Sequence, residues 1–259
     1  MLKYALFPVL SLAACAEDKA EDTASDISED ISITFGMTFV DGVTSAALEG
    51  ADVCIEEPAV ADNCFVTDDD GYVEWVWATP ETTNFLGRLD MEGYPTNLYA
   101  GRYNDDIAEN WASQLEETGK IQLNYGAFSD ASVDLFMNSA DAEVSEDHGH
   151  VLLFLGQSDG SGLEGSTVSV TDAAGDAVGT VYYVNSTMTG MDTELASTSS
   201  SGGVGIVNVV PGVHTVTVSS PDHVCQAGFS WNSDVDNEVP VPVEAGAMTQ
   251  AAMTCAPAP

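Results

Sequence analysis

An eight-residue block occurs twice in this chain, as "LEGADVCI" at Leu48 to Ile55 and as "LEGSTVSV" at Leu163 to Val170. A second block follows each one, "GYVEWVWATP" from Gly71 to Pro80 and "GGVGIVNVVP" from Gly202 to Pro211, with the same spacing from glycine to proline. The chain must therefore build one unit twice. Repetition at domain length with two copies means tandem domains and not a solenoid. The second copy is longer between its blocks, where "GTVYYVNSTMTGMDTELASTSSS" adds a strand or a long Ser/Thr-rich loop.

Each unit reads as β-structure. From Ile31 on, short runs rich in β-branched residues ("ISITFGMTFV", "YVEWVWA", "HVLLFLG", "STVSVTD", "HTVTVSS", "EVPVPVE") are separated by Gly, Asp, Ser and Pro clusters. Trp75 alternates with Val73 and Trp77 on one face of a strand, a pattern that fills a sandwich core more readily than it binds a sugar. One segment departs: in "NDDIAENWASQLEETGK", Ile107, Trp111 and Leu115 recur at helical spacing, Asn104 or Asp105 is placed to cap the start and Gly119 to end it. The expected fold is all-β, two tandem sandwiches with one short helix inserted in the first. The domains are expected at 31–140 and 148–256, with the polar stretch "NSADAEVSEDH" (138–148) between them.

The order "LEGxxV", strand, "TDDDGY" or "TSSSGG", alternating strand, then "VVPGVHTVTVSSPDH" or "RLDMEGYPT" resembles the carboxypeptidase-regulatory-like, transthyretin-like β-sandwich family over most of residues 31–256. The resemblance implies an Ig-like or prealbumin-like sandwich and carries little about function. The first copy departs from it, with Glu81 after Pro80 in place of glycine and with the helical insert.

The N-terminus reads as an address. Residues 1–14 hold one early base, Lys3, and then the short apolar run "YALFPVLSLAA", too short to span a bilayer and shaped like a secretory signal. The junction Leu12-Ala13-Ala14-Cys15 resembles the lipobox of bacterial lipoproteins, which implies cleavage before Cys15 and its lipidation. More than one acyl chain on Cys15 gives a stable anchor. By the same likeness, Ala16 in place of aspartate implies the outer membrane. Residues 15–30 continue as an acidic tether: after Cys15 come seven acids and one base, self-repelling and with almost nothing to bury. The expected setting is the bacterial cell envelope, with the membrane reached through Cys15.

Charge narrows the partners. Asp and Glu total 42 against 5 Lys and Arg, a formal charge of −37. Such a field repels nucleic acid and anionic headgroups and attracts cations. With Cys15 assigned to the anchor, two cysteines remain per repeat, Cys54 with Cys64 and Cys225 with Cys255. Export to an oxidising compartment then predicts two disulfides, each within its own domain.

Chemistry is sparsely signalled. No GxSxG, HExxH or phosphate-binding glycine loop occurs. Two motifs offer metal-ligand types. "VTDDDGYVEW" sets Asp68, Asp69 and Asp70 in a tight turn whose oxygens suit calcium, although "TSSSGG" replaces them in the second copy. "SEDHGHV" offers His148 and His150 in an H-x-H pattern that would place both imidazoles on one face of an extended strand, a zinc, copper or iron geometry. The reading preferred is a non-catalytic binding or structural display module without a cofactor, with a protein or carbohydrate ligand left open. The alternative is a metal-binding protein or metalloenzyme built on His148 and His150.

Overall fold

The computed structural model describes residues 33–57, 63–77, 84–102, 114–231, 233 and 235–258. The expected signal, lipobox and tether all fall outside them. The first repeat supplies strands β1 (Ile33–Asp41), β2 (Asp52–Glu57), β3 (Cys64–Val66), β4 (Tyr72–Trp77), β5 (Asn84–Asp90), β6 (Thr96–Arg102) and β7 (Ile121–Ala127). The second supplies β8 (Gly149–Gln157), β9 (Thr167–Thr171), β10 (Thr180–Val184), β11 (Met191–Asp192), β12 (Gly203–Val209), β13 (Gly212–Ser219), β14 (His223–Phe229), β15 (Glu238–Val243) and β16 (Ala247–Pro257). The chain is an all-β protein built of sandwiches, as its turn-punctuated runs require.

Both repeats follow one plan. β1 lies between an antiparallel β4 and a parallel β7, and β8 lies between an antiparallel β12 and a parallel β16. Facing these are β6-β5-β2-β3 in the first sandwich and β15-β13-β9 in the second. The matched glycines do the same work in each. Gly71 and Gly202 sit at φ +74° and +68°, and their carbonyls accept from Phe39 and Leu155 at 2.8 and 2.9 Å. A side chain at either would collide with that partner's own carbonyl, so glycine is required by conformation and by space.

The cores are separate. In the first, Phe35, Trp75 and Phe85 stack at 5.0 and 5.6 Å, and Phe39, Tyr99 and Tyr125 cluster beside them. Trp75 is thus a core residue, and its indole N–H points at Met37 Sδ. The second core is aliphatic, with Leu153, Leu155, Ile206, Val216, Val239 and Val241 closing around the Cys225–Cys255 bridge. Residues 114–118 are helical and end at Gly119, which has φ +73° and donates its N–H to the Leu115 carbonyl at 2.9 Å. Leu115 packs on the first core, while Ile107 and Trp111 lie outside the described residues.

A helix that no motif announced, α1 (Asp130–Ser139), follows β7. The Ser129 hydroxyl caps it by accepting from the Ser132 N–H, and Asp130 places a negative charge in its first turn. Although it lies within the span expected to close the first sandwich, Met137 and Ala140 pack on Leu152, Val184, Val207 and Met248 of the second. This is why "HVLLFLG" and "VGIVNVV" are almost continuously apolar: their sheet is covered on both faces. The chain from α1 to β8 is pinned by Asn208, at φ +57° in a bulge of β12, whose amide accepts from Ser145 N–H at 2.9 Å and donates to the Glu143 carbonyl at 2.6 Å.

The sandwiches are joined through β16. One side of this strand pairs with β8 along most of its length. The other side pairs in parallel with β6 over Ala247–Gln250 and antiparallel with β14 beyond it. One sheet therefore runs through both units, ten-stranded among the described residues. Edge β15 is blunted: Pro240 and Pro242 carry no N–H, and their carbonyls accept from the Ser230 and Thr249 hydroxyls at 2.7 and 2.5 Å.

Candidate functional site

The acidic turn is organised around its own backbone. Asp68 Oδ1 accepts from the Asp70 and Tyr72 N–H groups at 3.0 and 2.8 Å, which makes Asp68 the residue that shapes the turn. Asp69 and Asp70 are exposed beside it. Asp172 does the same in another turn, accepting from Ala174 and Asp176 N–H at 2.9 Å each. Among the described residues no group of three or more His, Cys, Asp or Glu side chains is arranged to hold a metal ion.

Of the H-x-H pair, His150 lies in β8 and His148 immediately before it, since β8 begins at Gly149. His148 belongs to the preceding turn, where its N–H donates to the Ser145 carbonyl at 3.2 Å and its Nδ1 lies 2.9 Å from the Ser145 hydroxyl. His150 is buried and its Nδ1 accepts from the Asn208 backbone N–H at 3.3 Å. Burial, with the charge of His148 added, holds the His150 pKa below its ordinary value.

Both predicted disulfides are formed, Cys54–Cys64 across β2 and β3 and Cys225–Cys255 across β14 and β16. Cys15 lies outside the described residues.

The most elaborate polar arrangement lies where the sandwiches meet. Arg88 on β5 donates to Asp90 at 2.7 Å and to Glu244 of the second sandwich at 2.9 Å, with Glu56 at 3.8 Å. Thr96 accepts from Arg88 at 3.3 Å and donates to Asp90 at 2.6 Å. Burial and the neighbouring Glu244 raise the Glu56 pKa, while hydrogen bonds from Arg88 and Thr96 outweigh burial and lower that of Asp90. Beside this cluster, Trp231 is buried against Leu86, Leu98, Ala100 and Ala247, and its indole N–H donates to the Phe85 carbonyl at 3.0 Å. Gln250 donates to Asn97 Oδ1 and to the Gly126 carbonyl. None of these residues belongs to a catalytic or metal-ligand sequence motif. The one local signal is Arg88 itself, one of five bases in the chain, set in a β-rich run.

No protein-family model matches the chain, and no curated protein matches it. Among solved structures, the Bacillus anthracis TIE protein aligns at 13% identity and TM-score 0.27, over 87% of this chain but 34% of that one, so this chain spans about a third of its length. The shaft pilin SpaA of Lactobacillus rhamnosus GG aligns at 10% identity and TM-score 0.26, covering 88% of this chain and 99% of the pilin. GBS52, the minor pilin of Streptococcus agalactiae, aligns at 11% identity and TM-score 0.28, covering 88% and 98%. Overlaps this loose carry no functional conclusion. The class is fixed by the strands themselves, a tandem β-sandwich protein.

Proposed function

We propose that this protein is a lipid-anchored module of the bacterial cell envelope that acts by binding or structural display and not by catalysis. Its two units are sandwiches of the carboxypeptidase-regulatory-like kind, at 31–140 and 148–256. In this reading residues 1–14 are removed, Cys15 carries the acyl chains in the outer membrane, and the acidic run to residue 30 holds the folded part away from the bilayer.

The observation that carries the display reading is the seam. β16 gives its N-terminal half to β6 of the first sandwich while remaining part of the second, and Trp231 fills the space beside it. Tandem domains on a flexible linker move independently. Two sandwiches sharing a sheet present both loop sets in fixed relation, as a platform for a ligand requires. The strongly negative surface favours a ligand that brings positive charge.

The test is fractionation of cells expressing the full chain and the Cys15→Ser variant. The wild type should sediment with membranes and carry an acylated Cys15, and the variant should move to the soluble fraction. Undiminished membrane association of Cys15→Ser would remove the lipoprotein reading.

A further inference from the structure

The two disulfides sit in opposite environments. Cys225 and Cys255 are 0% and 1% exposed within the second core. Cys64 is exposed on β3, the short strand at the end of the ten-stranded sheet, and Cys54 is half-buried. Val53 and Ile55 of β2 point inward, as does Ala51 just before it, so Asp52, Cys54 and Glu56 share the outer face. Cys54 stands opposite Cys64 on one side and Arg88 on the other, and Asp52 stands opposite Asp90. The bridge therefore lies on an outer face, between a guanidinium and a strand edge, with carboxylates around it.

We propose that Cys54–Cys64 is a site of thiol–disulfide exchange whose partners are thiols, and that Cys225–Cys255 is closed to them in the native protein. A thiolate attacks the exposed Cys64 Sγ and bonds to it as the Cys64–Cys54 bond breaks. The electron pair of that bond leaves on Cys54 Sγ, as a thiolate beside Arg88, whose charge makes it the better leaving group. A second thiol attacks the mixed disulfide, so that two thiols are oxidised to one disulfide and, once protonated, two cysteine thiols remain. β3 then loses its covalent tie at a position one strand removed from the Arg88–Glu244 contact. Because Asp52, Glu56 and Asp90 surround the bridge, the site favours cationic over anionic thiols.

The experiment uses the full folded chain with dithiothreitol, cysteamine or glutathione, quenched at intervals with iodoacetamide and followed by peptide mapping. Dithiothreitol should expose Cys54 and Cys64 while Cys225–Cys255 stays intact. The buried bridge needs unfolding to be reached, so it should open slower by about a thousandfold or more, unfolding equilibria of small domains being about 10³–10⁸. Cysteamine should outpace glutathione, with the difference shrinking in salt, and the trapped adduct should be on Cys64. Equal opening of both bridges, opening of Cys225–Cys255 alone, or no opening short of denaturant would overturn the proposal. An adduct on Cys54 would overturn the stated direction of attack.

Discussion

Thr67 and Thr198 accept and donate the same backbone bonds in different sandwiches, and the Thr67 hydroxyl also donates to the Leu48 carbonyl. Thr67 Oγ1 accepts from the Ala51 N–H at 2.8 Å, and Thr198 Oγ1 accepts from the Ser166 N–H at 3.0 Å. Their own N–H groups donate to the Ala51 and Ser166 carbonyls at 3.0 and 2.8 Å, and their carbonyls accept from Gly50 and Gly165. Each threonine is buried and closes its sandwich at the turn before the matched glycine. The paired residues are 16 apart in the first copy and 32 in the second. The additional chain forms β10 and β11, which extend the sheet without disturbing this lock.

Thr67→Val and Thr198→Val should both destabilise. Valine keeps the shape but leaves a buried N–H without its acceptor, a loss of about 1–3 kcal/mol at each site, and at Thr67 the Leu48 carbonyl loses its donor as well, so that variant should lose the more. Urea melts of the two variants measure it, and a neutral result at either site would mean that the threonine hydroxyl does not hold its sandwich closed there.

Trp231→Ala should uncouple the sandwiches. Truncating a buried tryptophan costs about 3–5 kcal/mol, and here the loss falls at the seam and outside both main cores. Calorimetry should resolve two transitions where the wild type shows one. Arg88→Ala should do much less, since its side chain is 33% exposed and an exposed ion pair contributes about 0–1 kcal/mol. If the Arg88 variant splits the transition and the Trp231 variant does not, the seam is electrostatic and not apolar.

Acidification should weaken the second sandwich through His150. Its pKa lies below the ordinary 6.5 in the folded state. The unfolded chain therefore takes up the proton first, and stability falls as pH drops below about 6.5 toward the folded value. Above that range the ring is neutral in both states and contributes no slope. His150→Gln should flatten the stability-against-pH curve below about pH 6.5; an unchanged slope would assign it to other groups.

Salt should stabilise the fold. Among the described side chains, Arg88 and Lys120 engage Glu56, Asp90, Glu244 and Glu74, which leaves most of the 42 acids repelling one another. Screening shortens the Debye length from about 30 Å at 0.01 M to about 3 Å at 1 M, so the melting temperature should climb with sodium chloride over that range. A flat response to sodium chloride with a sharp rise at micromolar calcium, abolished by Asp68→Asn with Asp70→Asn, would instead restore a calcium site in the acidic turn.

Much of this architecture was legible from local pattern. Period-two alternation and turn residues identify strands because side-chain direction and positive φ are properties of a few consecutive residues. The duplicated blocks identify two units, and two cysteines in each identify their bridges. Gly119 was readable because ending a helix is a local conformational demand, whereas Gly71 and Gly202 are also required by the strand carbonyls that approach them. Tertiary structure decided the rest. Helix α1 has a weak apolar face, and its place on the second sandwich depends on a sheet face that exists after β8, β10, β12 and β16 have assembled. The seam brings Arg88 to Glu244 and Phe85 to Trp231, residues about 150 positions apart. His148 falls in the turn before β8 and His150 inside it, because backbone pairing and not residue spacing sets where a strand starts. β16 could be read as a strand, but which neighbours it takes on its second edge is a choice among all exposed edges, made by burial of Leu98, Ala100 and Trp231 and carried by no local motif.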